Sequence, residues 1–157
     1  MRTVFNAPHP DFSIKETADM VHSHYGFRCT AEDLYSERDQ NFHIMSENSG
    51  DYILKISNPA EDQSALQMQI DCTKHIRDKD ADLNIPLTIK STTGEDIITT
   101  DKDGFTYYAR MVTFIPGIFL KDYPQSEDML FTLGGFMARL SRAMKAPRLK
   151  SISSLCA

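Results

Sequence analysis

The sequence predicts an α+β fold in which an antiparallel five-stranded sheet carries a packed helix, with one helix ahead of it and a hinge and a long helix behind it. Three observations predict this. The alternating runs around Phe42 and Ile44 and around Tyr52, Leu54 and Ile56 flank Asn48-Ser49-Gly50, a hairpin pattern. Helical apolar spacing follows Asn58-Pro59 at once. A second pair of strand-sized runs, Ile97 to Thr100 and Tyr107 to Phe114, flanks the turn residues Asp101-Lys102-Asp103-Gly104.

Taken in order, Asp11 to Tyr25 reads as a helix: Phe12 and Ile14 precede Ala18, Val21 and Tyr25 at helical spacing, and Gly26 stands where a helix stops. Phe27 to Leu34 is a weaker strand, followed by a polar stretch, Ser36 to Gln40, without Gly or Pro. In the strand Tyr52 to Ile56, strict alternation turns Lys55 away from Tyr52, Leu54 and Ile56 and onto the face of Ile53. Glu61 and Asp62 open the next helix, whose Ala65, Met68, Cys72 and Ile76 form a candidate buried stripe. Pro86 introduces a segment, Leu87 to Lys90, so two or three strands follow this helix. Pro116-Gly117 ends the last of them. Ser126 then caps a helix with Leu130, Leu133, Met137, Leu140 and Met144 along one stripe.

Within that helix Gly134 and Gly135 each cost about 1 kcal/mol relative to Ala, which close approach of another backbone would offset. The basic end, Arg139, Arg142, Lys145, Arg148 and Lys150, is ordinary for a helix C-terminus, and the tail after Pro147 has no strong pattern. The expected organisation is a lobe over 1–112, a hinge over 113–125 and a helix with its tail over 126–157.

Composition narrows the function classes. At 157 residues and 41% hydrophobic, the chain has enough apolar material for one core. A net charge of −5 argues against a binder of phosphate backbones, so no nucleic-acid partner is expected. The apolar runs are strand-sized, and MRTVFNAPHPD has prolines and an acid where a signal peptide has its apolar region. A soluble cytoplasmic protein without a membrane partner follows as the expectation. Cys29, Cys72 and Cys156 are odd in number and unpaired in spacing, which suggests neither a disulfide framework nor a zinc knuckle.

A lysine in the middle of an apolar strand, followed by a turn and a helix, is a rigid place to hold a cation against a phosphate. The same pattern also fits a solvated lysine on an edge strand. No G-x-x-x-x-G-K-[ST] occurs, so a P-loop is excluded. His22 and His24 lie at i, i+2 on different helix faces, and Asp101-Lys102-Asp103-Gly104 lacks the later ligands and Glu of a calcium loop. No metal site is read from either.

The runs YSERDQNFHI, DYILKISNPAED, RMVTFIPG and LGGFMARLSRAM, in this order and separation, together resemble the N-terminal lobe of the aminoglycoside phosphotransferase and choline kinase superfamily. The resemblance is nearest to the hydroxylysine kinase branch and to the similar domain fused to class III aminotransferases, and runs from about Phe5 to Pro147. It implies a lobe of kinase-like fold that holds ATP or GTP, with Mg²⁺ bound elsewhere. Lys55 would contact the α- and β-phosphates, and Ser36, Glu37, Arg38, Asp39 and Gln40 would form the loop over them. Gln69 would stand where kinases place the helix glutamate that holds the lysine, although an ordinary polar helix residue also fits the position. Val112 would sit behind the base, or be a plain core valine. The Thr113 carbonyl and the Ile115 amide would pair with the base edge, because Pro116 has no N–H to donate.

The family's H-x-D-x-x-x-x-N loop and later D-x-[DE] segment do not follow the last helix. The H-x-D that does occur, His9-Pro10-Asp11, precedes the lobe and has Glu16 in place of Asn. No catalytic residue and no metal ligand is therefore assigned. The expectation is the nucleotide-binding lobe of an enzyme that phosphorylates a hydroxyl of an amino acid or amino alcohol, lacking its C-terminal lobe and inactive alone. The alternative is a non-catalytic nucleotide-binding or docking module, or a vestigial truncated kinase. Partners would be a separately encoded second lobe, or a second copy meeting an uncovered face around Phe131, Phe136, Leu140 and Met144.

Overall fold

The computed structural model describes residues 7–145, so Cys156, Arg148, Lys150, the tail and the Phe5 end of the resemblance lie outside the described residues. The elements are α1 (Ile14–Tyr25), β1 (Thr30–Leu34), β2 (Gln40–Ser46), β3 (Gly50–Ile56), α2 (Gln63–Lys79), β4 (Thr88–Ile89), β5 (Ile98–Lys102), β6 (Phe105–Thr113), a 3-10 turn at Leu120–Asp122 and α3 (Glu127–Ala143). They divide into two compact units, residues 7–71 with 86–116 and residues 72–85 with 117–145.

The first unit is an antiparallel sheet in the order β1-β2-β3-β6-β4, with β5 also paired to β6. The strands number six and not five, because the two residues of β4 add to β6 opposite Val112 and Met111. The β2–β3 hairpin forms at the expected turn, where Gly50 takes φ 86, a conformation glycine adopts without a Cβ clash. In the second hairpin Lys102 pairs with Phe105, and Asp103 and Gly104 both have positive φ, 52 and 77. Such a two-residue turn matches strand twist, so β5 continues to Lys102 through residues expected to be turn.

One sheet face buries Phe42, Ile44, Leu54, Ile56, Tyr107, Ala109 and Met111 against Phe12, Met20, Val21 and Tyr25. Helix α1 begins in a capping box: Ser13 Oγ accepts from the Glu16 amide at 3.2 Å, and the Glu16 carboxylate accepts from the Ser13 amide at 2.7 Å. It ends at Gly26, which takes φ 78 and donates back to the His22 carbonyl. Ile14, expected on the buried face, is exposed, and Thr17 and Met20 occupy that face instead.

On the opposite sheet face, Leu66 and Ile70 of α2 pack with Ile97 and Tyr108. Asp62 starts this helix by accepting from the Ser64 amide at 2.8 Å. Of the stripe read from the sequence Ile76 is buried, but Met68 and Cys72 are exposed, and the pair Leu66–Ile70, two residues earlier, is buried in their place.

In the second unit, Ile76, Leu83 and Ala143 form a cluster with Ile85, Phe136 and Leu140. Arg139 donates from Nε and Nη2 to both oxygens of Asp80, at 2.9 and 2.5 Å, and holds that carboxyl below its usual range. Ser126 caps α3 by accepting from the Met129 amide at 3.2 Å. Of the stripe expected along α3 only Leu140 is packed; Leu130, Leu133, Met137 and Met144 are exposed. A Cβ added at Gly134 or Gly135 would meet nothing within 4 Å, so among the described residues no backbone comes close there. No helix among the described residues is long and apolar enough to cross a membrane.

Candidate functional site

The sheet face opposite α1 carries two rows of side chains set by strand register. Asn41 of β2, Lys55 of β3 and Arg110 of β6 lie side by side, and so do His43, Ile53 and Val112. Alternation puts them there, because Phe42, Leu54, Ala109 and Met111 between them face the core.

Lys55 is half-buried, and its ammonium donates to the Asn41 Oδ1 at 3.0 Å. Burial, together with the neighbouring Arg110, lowers the lysine's pKa, while Asp39 opposes the shift. Arg110 is also half-buried and is likewise depressed by burial, with Asp39 and Glu61 acting the other way. Its Nη2 donates to the Gln69 Oε1 at 2.5 Å and its Nη1 to the Leu66 carbonyl at 3.3 Å. Its buried Nε has no hydrogen-bond partner among the described residues.

The loop before β2 is tied down at several points. Asp39 accepts from the Asn58 amide at 3.0 Å, and Arg38 approaches Glu61 at 3.9 Å. Ser36, Asp39 and Gln40 line a cavity of about 310 Å³ with His9, Asp33, Leu34 and Tyr35, and Glu37 is exposed. Gln40 is buried on the core side, where its amide accepts from the Phe12 N–H at 2.8 Å and donates to the Phe12 carbonyl at 3.0 Å.

At the end of β6 the chain is held through Thr113, whose amide donates to the Leu87 carbonyl at 2.9 Å and whose hydroxyl accepts from the Leu87 amide at 3.0 Å. The Phe114 amide donates to the Asp51 carbonyl at 3.3 Å, and its ring stacks on His43 with centroids 4.4 Å apart. Val112 is half-buried beside Ile53, and the half-buried Ile115 has an amide without a partner among the described residues.

The structure thus brings Lys55 and Val112 onto one face, with Asp39 near enough to act on the lysine's charge. It ties Gln69 to Arg110 and turns the Gln40 side chain to the other face. Asn41 and Arg110 were not singled out from the sequence. The alternation in YYARMVTF, which sets Tyr108, Arg110 and Val112 against Tyr107, Ala109 and Met111, is the signal that finds Arg110. His9 and Asp11 lie exposed ahead of α1. Among the described residues, no three His, Cys, Asp or Glu converge as a metal site.

A half-buried lysine on a strand beside a helix, a tethered loop next to it and a chain segment leaving the sheet past Val112 define the N-terminal lobe of a kinase-like fold. The family model described as the phosphotransferase enzyme family matches residues 33–153. The chain belongs to that family. Among curated proteins it is similar to hydroxylysine kinase of Danio rerio, 27% identical over 144 residues, which cover 86% of this chain and 39% of that protein. Hydroxylysine kinase of Mus musculus is 25% identical over 148 residues, covering 87% and 39%. The chain therefore spans about 39% of the length of these relatives.

Among solved structures, amicoumacin kinase hAmiN in complex with AMP-PNP, Ca²⁺ and Ami superposes with a TM-score of 0.72 at 16% identity, over 89% of this chain and 42% of that one. The microcompartment-associated aminopropanol kinase gives 0.63 at 16% identity, over 80% and 39%. At these identities the likeness is one of fold.

Proposed function

We propose that this chain is the nucleotide-holding lobe of an ATP- or GTP-dependent small-molecule phosphotransferase, whose acceptor is a hydroxyl of an amino acid or amino alcohol. The observation that carries the reading is Lys55: a half-buried ammonium fixed by Asn41 on a sheet face, next to a second cation. Polyphosphate oxygens are the partners such a pair of cations takes. The Ile115 amide, half-buried and without a partner among the described residues, suits the edge of a purine. The hydroxylysine kinase relatives support the acceptor class.

The lobe holds and orients nucleotide. The carboxylate that orients the attacking hydroxyl and the Mg²⁺ ligands come from further polypeptide, so the chain alone turns over no substrate. The exposed Leu130, Phe131, Met137 and Met144 on α3 support docking of such polypeptide.

The test is thermal melting with millimolar ATP or GTP, because a ligand bound only by the folded state stabilises it by RT ln(1 + [L]/Kd), about 1.4 kcal/mol at ten times Kd. The folded chain should melt higher with nucleotide, and Lys55→Ala should abolish the rise. Absence of any shift in the unaltered chain would sink the nucleotide reading. Nucleotide hydrolysis that disappears with Lys55→Ala would sink the claim of inactivity.

A further inference from the structure

Lys55 and Arg110 are direct register partners on neighbouring strands, and like charges so placed repel. Neither is in ion-pair contact with a carboxylate among the described residues. Lys55 is held by the Asn41 amide oxygen, and Arg110 by the Gln69 amide oxygen and the Leu66 carbonyl. These neutral acceptors fix the two side chains without neutralising them. The guanidinium is also incomplete, because its buried Nε–H has no acceptor. An anion lying against both cations would balance the uncompensated pair.

We infer that Arg110 is a second phosphate-binding residue of this lobe, and that a di- or triphosphate chain bridges Lys55 and Arg110. Gln69 is then a positioning residue: it holds the guanidinium at 2.5 Å, while Asn41 holds the ammonium. Two cations side by side match a polyphosphate better than a single phosphate, so the ligand class is a nucleoside di- or triphosphate in preference to a monophosphate. Asp39 and Glu61, whose fields reach Arg110, supply the opposing charge nearby.

The inference rests on the reading of Lys55 as a nucleotide ligand, and the test separates the two. The 157-residue chain is titrated calorimetrically with ATP, ADP, AMP and adenosine, alongside Arg110→Gln, Arg110→Lys and Lys55→Ala. A charge-assisted hydrogen bond contributes about 1.5–3 kcal/mol, or about 10- to 100-fold in affinity. Arg110→Gln should lose this factor for ATP and ADP while adenosine binding, which also reports that the variant is folded, stays within about 2-fold. Arg110→Lys should recover part of the loss, and Arg110→Gln should flatten the dependence of ATP affinity on salt.

If Arg110→Gln binds ATP as the unaltered chain does while Lys55→Ala does not, Arg110 is only an anchor for α2. The inference then fails and the reading of Lys55 stands. If Arg110→Gln weakens adenosine as much as ATP, the residue acts through the fold, and the inference fails again. If the unaltered chain binds neither ATP nor adenosine at millimolar concentration, both fall together.

Discussion

Gln40→Ala separates folding from ligand binding in the loop that leads into β2. The Gln40 side chain is 6% exposed and closes two hydrogen bonds with Phe12, which anchors the segment ahead of α1. Alanine leaves the Phe12 N–H and C=O without these partners in a buried place. Each orphaned buried group costs about 1–3 kcal/mol, and relaxation or an entering water recovers some of that. A loss of about 3 kcal/mol is expected, roughly a hundredfold in the folding equilibrium. The loss is reinforced by what Phe12 touches, since its ring meets Tyr107 edge-on at 5.2 Å and lies under the Lys102 ammonium at 5.0 Å. Urea unfolding followed by far-ultraviolet circular dichroism measures the change in midpoint at constant m-value. Nucleotide affinity at low temperature, where the variant stays folded, should not change. A variant within about 0.5 kcal/mol of the parent refutes the assignment of a structural role. So does a stable variant that no longer binds nucleotide.

Two further outcomes are expected. The capping hydrogen bonds from Ser13, with Lys102 at 2.9 Å, hold the Glu16 carboxyl down at about 2 from its ordinary 4.5. A carboxyl depressed on folding contributes stability that is present above its unfolded pKa and disappears as pH falls through the folded one. The stability difference between the parent and Glu16→Gln should therefore be constant above pH 4.5 and vanish toward pH 2; a difference independent of pH in acid melts contradicts this. Gly134→Ala and Gly135→Ala should each stabilise α3 by about 1 kcal/mol, since both Cβ positions are open. Slower amide exchange in α3 reads the gain, and faster exchange in either variant refutes it.

Elements whose signal is local were legible in the sequence. Asn48-Ser49-Gly50, Gly26 and Ser126 are turn, stop and cap by their own chemistry, and each does that work in the fold. The direction of Lys55 followed from period two alone. Helix faces were less legible, because α2 offers two apolar stripes at helical spacing and only the sheet beneath it selects Leu66 and Ile70 over Met68 and Cys72. The partner of Lys55 was illegible for a related reason. Position along a helix suggested Gln69, but strand register puts Asn41 directly across from Lys55, and Gln69 is taken by Arg110. Gln40 shows the same limit: a polar residue in a polar loop carries no mark of a buried bond to a residue 28 positions earlier.

The amides that hold the two cations have a chemical consequence of their own. A lysine fixed by a carboxylate loses its holder when that acid is protonated, so its orientation depends on the medium. Asn41 and Gln69 do not titrate. Protonation of an acid therefore does not release the acceptor in the Lys55–Asn41 or the Arg110–Gln69 contact.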